Sequence, residues 1–204
     1  MTKTSRDVIV AAALELARTE GIEAVTARKL GKKIGASSQP IFTWFDSMEH
    51  VKANVYEEAR KIFRQYIEKG LASQVPFFGA GMQYIVFARE EPQLFKFLFL
   101  KRPSGVSGGL MESKQFMEDL VLESVMHIHN MSAEAARKYF SNMWLVSFSF
   151  ATMIVTDNCP FSDEEIGRVM KEMSVSVCMG LKRIPGMVDG TFDRDAIFAE
   201  LDKE

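Results

Sequence analysis

The chain has 204 residues, of which 47% are hydrophobic and 25% are charged, and its formal net charge is −2. This is an ordinary globular composition, long enough to bury a substantial core. No window approaches 18 uninterrupted apolar residues, which excludes a membrane-spanning helix of the usual kind. The N-terminus lacks the apolar segment of a secretory signal. We therefore expect a cytoplasmic protein with no membrane partner.

Charge is unevenly distributed along the chain. Residues 1–54 carry eight Lys and Arg against six Asp and Glu, whereas the remainder carries 17 against 21. A compact basic cluster, Arg-Lys-Leu-Gly-Lys-Lys, occupies residues 28–33. This asymmetry favours an N-terminal unit that faces DNA, joined to a body that does not.

Few residues are suited to catalysis or metal binding. There are three histidines, and the pair His127 and His129 projects to different faces of a helix. Cys159 and Cys178 form no CxxC pair, so we expect two free, buried thiols. HExxH, Walker and nucleophile–histidine–carboxylate patterns are missing from the sequence. We expect no enzyme, no catalytic residue, no metal site and no cofactor.

The periodicity of apolar residues predicts an all-α protein. Apolar positions recur every three or four residues, chain breakers fall at helix-length intervals, and strand-like alternation is nearly absent. The predicted helices span residues 5–19, 27–34, 38–45, 47–69, 76–90, 93–100, 110–130, 132–156, 162–183 and 193–201. The segment 93–100 alternates like a strand, but Pro92 suits a first helical turn and no partner strand is evident. Residues 101–109 are predicted to be a loop.

Capping residues divide the N-terminal region into short helices. Thr26 is a suitable N-cap for the second predicted helix, and Gly35 is a suitable left-handed stop after it. Ser37 is the predicted cap of the third helix, with Pro40 in the first turn. Two helices joined by a short turn that contains Gly form a helix-turn-helix unit.

The third predicted helix fits a DNA-reading role. Its leading residues must be small or polar to reach base edges in the major groove. Ile41 and Phe45 supply an apolar inner face at i,i+4. The candidate reading residues are Ser37, Ser38, Gln39, Pro40, Thr43 and Trp44. On spacing alone, two short packed helices of a bundle are an equally good interpretation.

The residues themselves resemble a known family. Residues 25–45, Val-Thr-Ala-Arg-Lys-Leu-Gly-Lys-Lys-Ile-Gly-Ala-Ser-Ser-Gln-Pro-Ile-Phe-Thr-Trp-Phe, closely resemble the tetracycline-repressor (TetR, AcrR-like) regulators. The lead-in over residues 11–22 resembles the first helix of that family and its Gly stop. The family's recognition helix reads Gly-Val-Ser-x-x-x-Leu-Tyr-x-Tyr-Phe, and residues 35–45 fill its small, aromatic and apolar slots without a gap.

The resemblance implies an architecture and a function. It implies an N-terminal three-helix DNA-binding domain over residues 1–50 and a C-terminal helical domain for ligand binding and dimerisation over residues 51–204. The expected partners are double-stranded DNA with a palindromic operator, a second copy of the chain, and an unknown small-molecule effector that releases the DNA. The helix at 47–69 would carry the motion between the two domains. The expected DNA-binding residues are Thr26, Arg28, Ser37, Ser38, Gln39, Pro40, Phe42, Thr43, Trp44 and Lys52.

Two positions depart from the family pattern. Met48 stands where the family usually has a phosphate-contacting Lys, and Lys52 lies one helical turn further on. Phe42 replaces the usual Tyr and so lacks a hydroxyl. Both departures predict fewer phosphate contacts and a shallower salt dependence of DNA binding.

The C-terminal region is rich in Phe and Met. The chain contains 16 Phe and 13 Met, most of them after residue 60. For any single residue, plain core packing is the better interpretation, but together such side chains suit a cavity for an apolar ligand. The candidate pocket residues are Met82, Phe95, Phe99, Phe116 and Phe148. An alternative is a ligand-independent DNA-binding protein of the same fold with an architectural or division-related role.

The last two long helices, 132–156 and 162–183, are the candidate dimer interface. They are the last long pair of helices, and their residues are mostly apolar or small. The small residues are Ser147, Ser149, Ala151, Ser174, Ser176 and Gly180.

Overall fold

The computed structural model describes residues 5–101 and 109–202, and within these ranges the chain is helical with no strand. The helices are α1 (Arg6–Glu20), a 3₁₀ turn (Ile22–Ala24), α2 (Ala27–Lys33), α3 (Gln39–Trp44), α4 (Met48–Leu71), α5 (Pro76–Glu90), α6 (Pro92–Phe95) with a π-helical turn (Lys96–Leu100), α7 (Leu110–His129), α8 (Ala133–Val155), α9 (Asp163–Arg183) and α10 (Arg194–Leu201). The prediction of an all-α fold is confirmed. None of the described helices is both long and apolar enough to cross a membrane. Most of the predicted loop, residues 102–108, lies outside the described residues.

Side-chain caps determine where several of these helices begin. The hydroxyls of Ser5, Thr26, Ser47 and Ser162 each accept a hydrogen bond from the backbone N–H three residues later. The carboxylate of Glu165 in turn accepts a hydrogen bond from the N–H of Ser162 at 2.8 Å, which completes a capping box. Each such cap contributes about 1 kcal/mol.

The segment after Pro92 is helical, as predicted, but its second half winds as a π-helix. Phe97, Leu98 and Phe99 are consecutive and all buried. Because three consecutive side chains are buried, the core encloses this turn on more than one side. Tyr56 meets Phe97 edge-on at 5.5 Å, and Phe63 meets Phe99 at 5.2 Å between ring centroids.

One continuous hydrophobic core extends from α1 to α9. Its densest part is an aromatic cluster around Phe63 of α4, which contacts Tyr84, Phe87 and Phe99 at centroid distances of 5.8, 5.1 and 5.2 Å. Edge-to-face pairs of this kind add to the stabilisation that burial alone provides. α4 therefore holds the centre of the body while its first turns pack against α1.

The two cysteines are free thiols. Both Cys159 and Cys178 are half-buried, so the two thiols are less buried than the sequence led us to expect. The sulfur of Cys178 lies 4.0 Å from Nδ1 of His129, near the end of α9.

An ion pair fastens the N-terminal helices to the body. Arg18, in the last turn of α1, donates from Nε to Oε2 of Glu91 at 2.9 Å, and its Nη2 pairs with the other carboxylate oxygen. The Glu91 side chain is only 7% exposed and lies where α5 ends. The hydrogen bond to Glu91 raises the pKa of Arg18. Tyr66 of α4 donates to the adjacent Glu90 at 2.7 Å.

Removing Arg18 should measurably destabilise the protein. We expect Arg18→Ala to lower the free energy of unfolding by about 1–3 kcal/mol, because a buried carboxylate loses its partner. The matched control is Arg137→Ala, which also removes an arginine from a buried glutamate, Glu118. There Lys114 still pairs with the carboxylate at 3.3 Å, so a cost below about 1 kcal/mol is expected. Equal losses in the free energy of unfolding of the two variants, measured by urea denaturation, would show that Arg18 is not the main partner of Glu91.

Candidate nucleic-acid interface

A Schellman turn sets the angle between α2 and α3. The N–H of Ala36 donates to the carbonyl of Gly31 at 3.0 Å, and the N–H of Gly35 donates to the carbonyl of Lys32 at 3.2 Å. Gly35 has φ = +69°, the left-handed conformation predicted for it. α3 then follows with Ile41 and Phe45 buried, as expected for its inner face.

Gly31 allows the turn to pack closely on α2. A Cβ at this position would lie 3.0 Å from the carbonyl oxygen of Ala36 and 3.1 Å from the backbone of Ser37. These neighbours are backbone atoms and cannot rotate away. The position of α3 therefore depends on the missing side chain of Gly31.

The start of α3 differs from the prediction in one respect. Ser38, with helical backbone angles, is the N-cap and makes no side-chain cap. The predicted cap, Ser37, instead accepts a hydrogen bond from the N–H of Gln39 at 3.4 Å. Pro40 has no backbone N–H, so this end of α3 offers one donor fewer for the hydroxyl of Ser37 or Ser38 to accept from. Both hydroxyls lie on the exposed surface.

The outer face of α3 combines polar groups with large exposed rings. Phe42 and Trp44 are each 50% exposed, although both are large and apolar. One shallow surface concavity is bordered by Ser37, Gln39, Pro40, Thr43 and Trp44. The structure thus brings five of the predicted DNA-reading residues together on one face, with Phe42 exposed nearby on the same short helix.

The basic cluster is smaller than its sequence indicates. Lys29 pairs with Glu20 at 2.6 Å and Lys33 pairs with Glu15 at 2.8 Å, both acids belonging to α1. Lys29 also lowers the pKa of Glu20. Arg28 and Lys32 form no ion pair with any described residue. Both are exposed, so they are the cations of α2 best placed to meet an external anion.

A second surface concavity beside Trp44 is bordered by Arg6, Asn54 and His50. Arg6 donates from Nη2 to Oδ1 of Asn54 at 3.0 Å, and its guanidinium lies 5.5 Å from the ring centroid of Phe45. Nδ1 of His50 lies 3.2 Å from Asp46. No local motif marks Arg6 or Asn54, because they are 48 residues apart and meet only in the folded chain.

Met48, which departs from the family pattern, and Lys52, which lies one helical turn further on, have different environments. Met48 is partly buried against the hydrophobic core, so its side chain serves packing. Lys52 is half-buried on α4. Thr26 is exposed and already engaged as the cap of α2, where its Oγ1 accepts from the N–H of Lys29 at 3.4 Å.

The predicted pocket residues are split between two places. Phe95 lies 4.8 Å from Phe99 and 6.5 Å from Phe148 between ring centroids, and Phe116 joins the same cluster through Phe63. Met82 lies apart from them, with its sulfur against Gly167 of α9. A separate enclosed recess lies among α5, α7, α8 and α9, and none of the five residues lines it. Its lining residues are Phe77, Phe78, Gly81, Met117, Phe140, Met143, Trp144, Ser147, Met170 and Ser174.

Comparison with known proteins supports the fold. No protein-family model matches this chain, and no curated protein matches its sequence. Among solved structures, a transcriptional regulator from Rhodococcus sp. Rha1 is similar in fold. The match covers 87% of this chain and 97% of that one, with a TM-score of 0.59 and 13% sequence identity. At this identity the likeness shows a shared all-helical fold.

Substitution of Gly31 tests the close approach of the turn. Gly31→Ala should destabilise the protein by about 1 kcal/mol, because overpacking against backbone costs about 1–3 kcal/mol and the gain in helix propensity returns up to about 1 kcal/mol. Gly35→Asn is the control, since Asn tolerates the left-handed conformation and no atom lies within 4 Å of a Cβ there. Chemical denaturation measures the free energy of unfolding of both variants. A stabilised Gly31→Ala protein would contradict the described packing.

Proposed function

We propose that the protein is a TetR-type DNA-binding transcriptional regulator that binds a palindromic operator as a homodimer. The observation that carries the proposal is the exposed face of α3. Its polar residues and rings project outward, while Ile41 and Phe45 anchor the helix from within. Phe42 and Trp44 each leave half of a large apolar side chain exposed on this six-residue helix. They are accounted for by contact with another molecule.

Each residue of the interface has a proposed contact. The Gln39 amide pairs with an adenine edge in the major groove. Ser37, Ser38 and Thr43 reach bases or phosphates, and the rings of Pro40, Phe42 and Trp44 contact thymine methyl groups and sugars. Phosphate contacts come from Arg28, Lys52 and the N-terminus of α2 at Thr26. Such contacts position the protein, whereas Gln39 contributes specificity.

In this proposal, the DNA-binding unit and the body are successive parts of the chain. Residues 1–50 form the DNA-binding unit and residues 51–204 form the body, with α4 entering both. α4 packs on α1 at one end and on α5 and α7 further along. We also propose that the protein acts in the cytoplasm, where its DNA target lies.

The proposed dimer interface is the outer surface of α8 and α9. Leu145 of α8 and Val175 and Met179 of α9 are exposed, with fractions of 54%, 59% and 45%. Ser149 and Ser176 are exposed on the same helices, whereas Ser147 and Ala151 lie in the protomer's own core. A two-fold axis there would place the α3 helices about 34–36 Å apart, one turn of DNA.

We further propose that a small, largely apolar effector releases the repressor from DNA through α4. The effector must bind the released conformer more tightly. A shift from 1:99 to 99:1 requires about 5.5 kcal/mol of differential affinity. The contacts of α4 with both α1 and the body provide a direct mechanical connection.

A second candidate is a ligand-independent DNA-binding protein with an architectural role. The observation that favours it is the small size of the enclosed recess in the body, about 20 Å³. That volume holds about one water molecule. Binding of an effector in that recess would require its wall to move, whereas architectural binding does not.

Gln39→Ala tests sequence readout. Selection of bound DNA from a random pool first defines the site; titration of that site then measures affinity. We expect the variant to bind about 5- to 150-fold more weakly, the equivalent of about 1–3 kcal/mol for a lost bidentate base contact. Gln115→Ala, a glutamine of α7 that bonds Asp119, is the control and should bind normally. A pool that yields no preferred sequence would contradict the proposed function.

Val175→Glu tests the dimer interface. A charge buried without a partner at the proposed α8–α9 interface should weaken dimerisation at least tenfold. Operator affinity should fall with it. Met111→Glu, at another exposed apolar position, on α7, should leave the dimer intact. Sedimentation equilibrium distinguishes the two variants, and a dimer unaffected by Val175→Glu would place the interface elsewhere.

A further inference from the structure

The outer face of α3 carries no charged side chain. Residues 35–45 contain no Lys, Arg, Asp or Glu. Arg28 and Lys32, the exposed cations that form no ion pair with a described residue, belong to α2. In a helix-turn-helix the first of the two helices crosses the DNA backbone, whereas the second enters the major groove. In that arrangement the free cations meet phosphates, and an uncharged surface meets the bases.

The lack of charge limits which base pairs this face can distinguish. In the major groove, guanine is read chiefly by a bidentate contact of Arg or Lys with O6 and N7, and cytosine by a carboxylate that accepts from its amino group. Residues 35–45 supply neither group. Hydroxyls such as those of Ser37 and Ser38 fit the edges of either base pair and do not choose between them. α3 therefore lacks the groups that specify G·C pairs.

The residues at the centre of the outer face suit A·T pairs. Ile41 and Phe45 are buried, and Gln39 and Thr43 lie exposed on the opposite side of the helix. The side-chain amide of glutamine both donates and accepts, which matches N7 and the N6 amino group of adenine. The Thr43 hydroxyl donates to the carbonyl of Gln39 at 3.4 Å, so its hydrogen is engaged within the helix. The methyl group of Thr43 is then an apolar contact for a base.

Apolar rings border this centre on both sides. Successive residues of an α-helix are turned by about 100°, which places Phe42 on one side of Gln39 and Thr43, and Pro40 and Trp44 on the other. Phe42 and Trp44 are each 50% exposed. Thymine presents an apolar C5 methyl group in the major groove, which the other three bases lack. The rings therefore offer apolar area to thymine on either side of an adenine-reading amide.

We propose that α3 reads A·T base pairs, so that each operator half-site presents adenine to Gln39 and thymine methyl groups to the rings of Phe42 and Trp44. The uncharged face and the flanking rings together determine this choice. The cations of α2 contact phosphates, which are the same in every sequence. This inference rests on the proposed DNA-binding function and names the base composition of the half-site that α3 recognises.

Removal of single methyl groups from the DNA tests the proposal with the full-length protein. The site selected from a random pool should have A·T pairs at the invariant positions of each half-site. Deoxyuridine pairs as thymidine does but lacks the C5 methyl. Replacing one contacted thymidine should therefore weaken binding about fourfold, the equivalent of about 0.8 kcal/mol for one buried apolar carbon. Replacing a thymidine outside the selected half-sites is the control and should leave the affinity unchanged.

Two ring variants identify the side chains that contact the methyl groups. Phe42→Ala and Trp44→Ala each remove an exposed ring and leave the buried face of α3 intact. Each should abolish the effect of deoxyuridine at the position that its ring contacts, because the methyl group there has already lost its partner. Phe198→Ala is the matched control, since Phe198 of α10 is 53% exposed, and it should keep the full effect of deoxyuridine.

Three results would overturn the inference: G·C pairs at the invariant positions, no loss of affinity from deoxyuridine at any position, or losses that persist unchanged in both ring variants. Each of these results still includes a preferred DNA sequence, so each refutes the A·T readout and leaves the proposed regulator in place. A pool that yields no preferred sequence would refute the proposed function and, with it, this inference.

Discussion

The pairing of Arg18 with Glu91 is the contact on which the position of α2 and α3 relative to the body depends. α2 and α3 are too short to bury a core of their own, and they are held by α1. α1 in turn is fixed at its last turn by the buried carboxylate of Glu91. Removing that carboxylate from water is costly, and the bidentate guanidinium offsets the cost only in one geometry. The pair therefore defines one orientation of α1 relative to α5.

The same stretch of chain connects that ion pair to the interior. Glu91 leads through α6 into the π-helical turn, where the carbonyl of Leu98 accepts a hydrogen bond from Ser113 of α7 at 2.9 Å. The Ser113 hydroxyl also lies 3.3 Å from that of Tyr56 on α4. A rearrangement of the body that moved α7 would act on both α4 and the π-helical turn. Two paths, rather than α4 alone, thus join the body to α1 and, through α1, to α2 and α3.

Features that depend on interactions between residues close together in the sequence could be predicted, whereas features that depend on tertiary packing could not. The all-α fold, the cap at Thr26 and the left-handed Gly35 depend on neighbours within a few residues, and these predictions are confirmed. The pairing of Lys29 with Glu20 depends on how α1 and α2 pack, so the basic cluster looked larger than it is. Similarly, composition indicated an aromatic interior, but only tertiary packing separates the filled cluster around Phe95 from the recess at Trp144.

The charge pattern has a consequence for how the protein would recognise DNA. With Lys29 and Lys33 engaged by α1, Met48 turned to packing and Phe42 lacking a hydroxyl, few groups remain to neutralise phosphates. If the protein binds DNA as proposed, counterion release would supply less of the binding free energy and the salt dependence would be correspondingly shallow. More of the affinity would then come from shape and base contacts, to which the exposed rings beside Gln39 would contribute apolar area.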